Sequence, residues 1–180
     1  MSTLREQCEL AADLLGSAAL EGRRVVATAE SLTGGLVSEL ITGVPGSSVW
    51  FDRGYVTYQI SGKEEMTDVP PETIETFGVV SEPVAEAMAR GALARSRADL
   101  SVALTGVAGP SGGTDGTPVG TVCIGWAERD LSGAIATSVR TIRATGDRRA
   151  VRLAAALTAL QGLIALIRGD DPMRMPTPFD

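Results

Sequence analysis

Val25-Val26-Ala27-Thr28-Ala29-Glu30-Ser31-Leu32-Thr33-Gly34-Gly35-Leu36-Val37 decides how the chain folds. Val25-Val26-Ala27 is a short apolar run and reads as a buried strand. After a few polar residues Leu36, Val37, Leu40 and Ile41 recur at helical spacing, and Gly43 stops that helix. Ser31 therefore falls in the turn between a strand end and a helix start. Free N–H groups at a helix N-terminus favour negative charge. Gly34 and Gly35 leave room for a ligand to approach the backbone closely. A hydroxyl in that setting suits a nucleophile beside an oxyanion hole, a phosphate site, or a plain helix cap, where Ser and Thr are favoured in any case.

Upstream, Leu4, Cys8, Ala11, Leu15 and Ala18 mark an amphipathic helix ending near Gly22. Downstream, Pro45-Gly46-Ser47-Ser48 is a loop whose backbone suits an anion, and the β-formers of 49–58 predict a strand. Within it, Arg53 is not expected to pair with Asp52, because strand neighbours point to opposite faces. A polar stretch from Gln59 to Met66 ends in a short helix, and Pro70-Pro71-Glu72 opens another that stops at Gly78. Ser81 is placed to cap a helix over 82–97. Leu100, Val102 and Leu104 alternate as a strand that runs into the glycine-rich loop Thr105–Gly113. Residues 121–127 and 134–140 predict an antiparallel hairpin turning at 130–133. Asp147 heads a final helix that buries Val151, Leu153, Leu157, Leu160, Ile164 and Ile167, and 169–180, with three prolines, is expected to fray. The pattern is α/β: a single three-layer α/β/α domain over 1–168, with helices flanking a mixed sheet.

The 180 residues are long enough for a substantial core, and 44% apolar with 21% charged is ordinary for a globular domain. A net charge of −6 argues against nucleic acid as a partner. No apolar run is read as approaching the ~20 residues of a membrane span. Without a cleavable signal, and with Cys8 and Cys123 reading as small core residues, the chain is expected in the cytoplasm.

There is no histidine, which removes Ser-His-Asp triads, Cys-His dyads and histidine metal sites. A serine nucleophile then needs another base, and a desolvated lysine can serve. Lys63 is the only lysine in the chain; every other cationic side chain is an arginine, which cannot act as a base at neutral pH. A Ser–Lys–Tyr group forms if the Tyr58 strand runs beside the Ser31 strand. The alternative is a surface Lys63 in weak ion pairs with Glu64 and Glu65. Arg148, Arg149 and Arg152 cluster at the start of the last helix, with Arg148 and Arg152 on one face, suited to a phosphate or to solvent.

Thr28-Ala29-Glu30-Ser31-x-Thr33-Gly34-Gly35, Pro45-Gly46-Ser47-Ser48, Phe51-x-Arg53-Gly54-Tyr55-Val56-Thr57-Tyr58, Gly78-Val79-Val80-Ser81, Thr105-Gly106-Val107-Ala108-Gly109-Pro110, Pro118-Val119-Gly120 and Gly146-Asp147-Arg148 occur in this order. Together they resemble the C-terminal domain of the competence/damage-inducible protein CinA, the nicotinamide-nucleotide amidohydrolase family, over about 4–168. The resemblance implies hydrolysis of the carboxamide of nicotinamide mononucleotide to nicotinic acid mononucleotide and ammonia. It places the catalytic serine, lysine and tyrosine on Ser31, Lys63 and Tyr58. Thr33, Gly34 and Gly35 become candidates for the oxyanion site. Gly46, Ser47, Ser48, Thr105, Gly106, Ala108, Gly109 and Arg148 become candidates for holding substrate, its phosphate included. No metal or cofactor is implied, and a homodimer or larger homo-oligomer of the stand-alone form is. Two departures stand out: Leu32 replaces a cysteine common in the family, and Ile60 an asparagine. The competing readings are a catalytically silent nucleotide-binding module and a competence- or damage-related interaction protein.

Overall fold

A computed structural model describes residues 2–177. The helices are α1 (Leu4–Gly22), α2 (Leu36–Thr42), α3 (Ile60–Thr67), α4 (Pro71–Phe77), α5 (Glu82–Ala94) and α6 (Arg148–Arg168). The strands are β1 (Val26–Glu30), β2 (Phe51–Val56), β3 (Leu100–Gly106), β4 (Thr121–Arg129) and β5 (Ile135–Arg143). They form one mixed sheet in the order β2-β1-β3-β4-β5. β1 is parallel to β2 and β3, while β3-β4 and β4-β5 are antiparallel. The three-layer α/β/α architecture read from the sequence is the one observed.

The two faces of the sheet are chemically different. Val26, Leu100, Val102, Leu104, Val122, Ile124 and Trp126 point into a large core with α1, α2 and α6. Ala27, Ala29, Ala103 and Ala127 point the other way, against Val84, Met88 and Ala92 of α5. Strand alternation thus sends bulky residues to one face and alanines to the other. The small face lets α5 lie close. At Gly91 of α5, a methyl group would come within 1.7 Å of the Thr67 carbonyl oxygen at the end of α3. That contact fixes α3, the helix carrying Lys63, against α5.

Three sequence expectations change. Arg53 does pair with Asp52, at 2.7 Å, because the β1-β2 register slips between Val26 and Ala27. Asp52 is the extra residue of that bulge, and a bulge turns adjacent side chains out of strict alternation. Second, α6 is long and apolar enough to cross a membrane by length and composition. It is instead the central core helix, with 72% of its most apolar window buried inside the domain. Third, residues 169–177, expected to fray, make contacts with the domain. A 3₁₀ turn at Pro172–Arg174 buries Pro172, and Arg140 of β5 donates to the Met175 carbonyl. The remaining residues of the expected tail, 178–180, lie outside the described residues.

Candidate active site

Ligands of open α/β sheets bind beyond the carboxyl ends of the parallel strands, where neighbouring crossovers leave on opposite faces. Here β1 leads through α2 to β2 on one side, and the chain then returns through α5 to β3 on the other. Ser31 follows the last residue of β1, Tyr58 lies two residues beyond β2, and Thr105 and Gly106 end β3. These ends enclose a cavity of about 210 Å³ lined by Ser31, Tyr58, Lys63, Thr105, Gly106 and Ala108, with Leu32, Val79, Val80 and Arg148.

Lys63 is fully buried, with none of its surface exposed. Its Nζ lies 3.0 Å from Ser31 Oγ, 2.8 Å from the Thr57 carbonyl and 3.5 Å from the Tyr58 carbonyl. All three partners are neutral oxygens. Burial without a counter-charge disfavours the ammonium form and pushes the amine down to about 8 from its usual 10.5. The surface pairing with Glu64 and Glu65 is therefore not what the fold makes of this residue. The β2–α3 connection decides it. Gln59, directly after Tyr58, is the N-cap of α3, and the helix turns Lys63 back under the strand end it has just left.

The Ser31 turn is held by a carboxylate. Glu30, fully buried, accepts from the N–H groups of Gly35 at 3.0 Å, Val37 at 3.0 Å and Ser38 at 2.8 Å, and from the Ser38 hydroxyl at 2.7 Å. Gly34 N–H donates to the Ser31 carbonyl, also at 3.0 Å. The N–H groups of Gly34 and Gly35, expected to face a ligand, are thus consumed within the turn. The start of α2 is neutralised by its own chain, as a helix N-terminus favours an anion. Gly34 and Gly35, with φ of 59° and 96°, provide the left-handed backbone of the turn rather than room for substrate. Thr33 is buried, and its carbonyl accepts from Arg152 Nη2 at 2.6 Å. None of these three lines the cavity.

The other candidates divide. Thr105, Gly106 and Ala108 line the cavity, and the Thr105 hydroxyl donates to the Val79 carbonyl at 2.8 Å. Gly109 presents its carbonyl to Arg148 Nη1 at 2.7 Å. The Tyr58 hydroxyl, at the cavity mouth, accepts from Arg148 Nη2 at 3.1 Å; only its backbone carbonyl approaches Lys63. Gly46, Ser47 and Ser48 are not part of this site. They precede β2, and β2 is parallel to β1, so they lie at the opposite end of the sheet from Ser31. Val79 and Val80, which line the cavity, had no site role in the sequence reading, and a bare apolar pair carries no signal of one. Leu32 lines the cavity, while Ile60 is exposed at the start of α3.

The profile of the CinA C-terminal domain matches residues 9–167. The chain belongs to the CinA C-terminal domain family. It is 48% identical over 138 residues to the Escherichia coli (strain K12) protein named nicotinamide-nucleotide amidohydrolase PncC, covering 77% of this chain and 81% of that protein. It is also 48% identical over 149 residues to a CinA-like protein of Chlorobaculum tepidum. There the match covers 83% of this chain but only 35% of the relative, so the chain spans about a third of the length of such CinA-like relatives. Among solved structures, the competence/damage-inducible protein CihA from Agrobacterium tumefaciens superposes with a TM-score of 0.81 at 41% identity, covering 92% of this chain and 99% of that one.

Proposed function

We propose that this protein hydrolyses the carboxamide of nicotinamide mononucleotide to nicotinic acid mononucleotide and ammonia, with Ser31 as nucleophile and Lys63 as base. The reading is supported by the names of the PncC relatives. One observation carries the mechanism: the chain's sole lysine is buried without a counter-charge, 3.0 Å from a serine hydroxyl.

A neutral amine has two hydrogens and one lone pair. The Thr57 and Tyr58 carbonyls take the two hydrogens, which leaves the lone pair facing Ser31 Oγ. Lys63 accepts the hydroxyl proton as Oγ bonds to the carboxamide carbon. The resulting ammonium passes a proton to the amide nitrogen, the C–N bond breaks, and ammonia departs. Lys63, neutral again, deprotonates a water that attacks the acyl ester. The ester C–O bond breaks, the proton returns to Ser31 Oγ, and the carboxylate product leaves. The N–H groups of Leu32 and Thr33 take no acceptor among the described residues. Of the two, Leu32 lines the cavity directly after the nucleophile, and its N–H is the oxyanion donor of this scheme. It replaces the Gly34 and Gly35 donors, which the turn has spent.

The test is ammonia release from nicotinamide mononucleotide, with the product identified by chromatography. The intact protein yields equal amounts of ammonia and nicotinic acid mononucleotide, and Lys63→Ala yields almost none. Normal turnover by Lys63→Ala refutes the Ser–Lys chemistry. Tight binding of the nucleotide with no product favours the silent binding module.

A further inference from the structure

Beside the catalytic cavity is a larger one of about 550 Å³, lined by Arg5, Leu36, Arg148, Arg149, Arg152 and Leu153. Arg148 lines both cavities. The guanidinium groups differ in what they already hold. Arg5 is neutralised by Glu9 at 2.7 Å and Glu39 at 2.9 Å. Arg148 donates to the Gly109 carbonyl and the Tyr58 hydroxyl, and Arg152 to the Thr33 carbonyl, all uncharged acceptors. Arg149 has no hydrogen bond or ion pair with any described residue. Asp147 also lines the cavity, and its carboxylate is engaged in capping α6 through the Ala150 N–H at 2.8 Å. Three arginines are thus left without an ion-paired carboxylate around one cavity, on a chain whose net charge is −6.

We propose that this arginine cavity is a phosphate-monoester subsite of the catalytic pocket, in which Arg149 and Arg152 bind the phosphate and Arg148, which lines both cavities, stands between them. The inference rests on the amidohydrolase reading above, and it deepens that reading by naming what selects the substrate. Pockets that bury a small organic ligand run from about 300 to 1,000 Å³. The catalytic cavity alone falls below that range, with room for an aromatic carboxamide but not for a whole nucleotide. The adjoining cavity supplies the missing volume together with the missing positive charge. Guanidinium forks match phosphate oxygens in pairs, and Arg149 has every donor available. Arg152 also holds the Thr33 carbonyl, two residues from the nucleophile, so the phosphate grip and the serine turn share one side chain.

Two measurements on the intact protein and on Arg149→Ala, whose side chain supports nothing else in the fold, test the subsite. The first is the ratio of kcat/KM for nicotinamide mononucleotide to that for its riboside, read by ammonia release. The second is the affinity for inorganic phosphate, read by isothermal titration calorimetry. Removal of one charge-assisted phosphate contact lowers the substrate ratio about tenfold and weakens phosphate binding by a similar factor. Equal losses on both substrates, an unchanged ratio, or equal phosphate affinity in the two proteins overturns the proposal. Should neither substrate release ammonia, the amidohydrolase reading falls, and the phosphate titration decides the subsite by itself.

Discussion

Replacing Lys63 by Met separates the chemical role of the amine from its cost to folding. The folded-state amine titrates at about 8 and the unfolded one at the usual 10.5. The unfolded chain therefore binds more protons between these values, and wild-type stability rises with pH across that window. The penalty of the buried ammonium is fully present below pH 8 and gone above 10.5. Integrated over pH 7 to 10, the displacement is worth about 2.5 kcal/mol. Lys63→Met keeps a long apolar side chain in the same space and has no proton to bind. The variant also loses the bonds to Ser31 and Thr57, but that loss does not depend on pH, and the other titrating groups are common to both proteins. The expected result is that wild type gains about 2.5 kcal/mol on Lys63→Met between pH 7 and 10, measured by urea unfolding at each pH. In parallel, log kcat/KM for the wild type rises with pH at unit slope and levels off near 8, as a neutral base requires. A stability difference that stays constant with pH, or shifts in favour of the variant, refutes the claim that Lys63 is buried without a counter-charge.

Three further outcomes follow from the geometry. Ser31→Ala loses about 10³-fold or more in kcat while its urea midpoint stays near that of wild type, as expected for a nucleophile; ammonia release and unfolding curves check the two halves. Glu30→Gln leaves several N–H groups at the start of α2 poorly satisfied, lowering stability by about 2–3 kcal/mol and kcat along with it, because the same turn carries Ser31. Unfolding at pH 7 with wild-type stability would show that the carboxylate does not hold the turn. Gly91→Ala drives a methyl group into the Thr67 carbonyl and costs about 3 kcal/mol or more. A soluble variant with an unchanged unfolding midpoint would contradict the close seating of α5 on α3.

Much of the architecture was legible because it is written in local periodicity. The alternation of Leu100, Val102 and Leu104, the helical spacing after Leu36, and the turn at 130–133 each depend on neighbours a few residues apart. The chemistry was partly legible for a compositional reason: with no histidine and one lysine, a serine nucleophile leaves Lys63 as the one amine available as its base. What misled the local reading was competition for the same backbone groups. A Ser-x-Thr-Gly-Gly string looks like an open anion site, and nothing in it shows that Glu30 occupies that site first. Similarly, Pro45-Gly46-Ser47-Ser48 has the composition of a binding loop, but strand direction places it at the wrong end of the sheet.

Sequence alone, then, determined the three-layer fold, the chain's family motifs and the identity of the one amine able to serve as a base, because propensity, spacing and residue type are local or countable quantities. Only the tertiary structure decided that the amine meets the Ser31 hydroxyl, that Glu30 closes the α2 terminus, and that three arginines remain uncompensated around a second cavity. Those facts depend on burial and on which partner reaches a polar group first, and both are set by packing between segments distant along the chain.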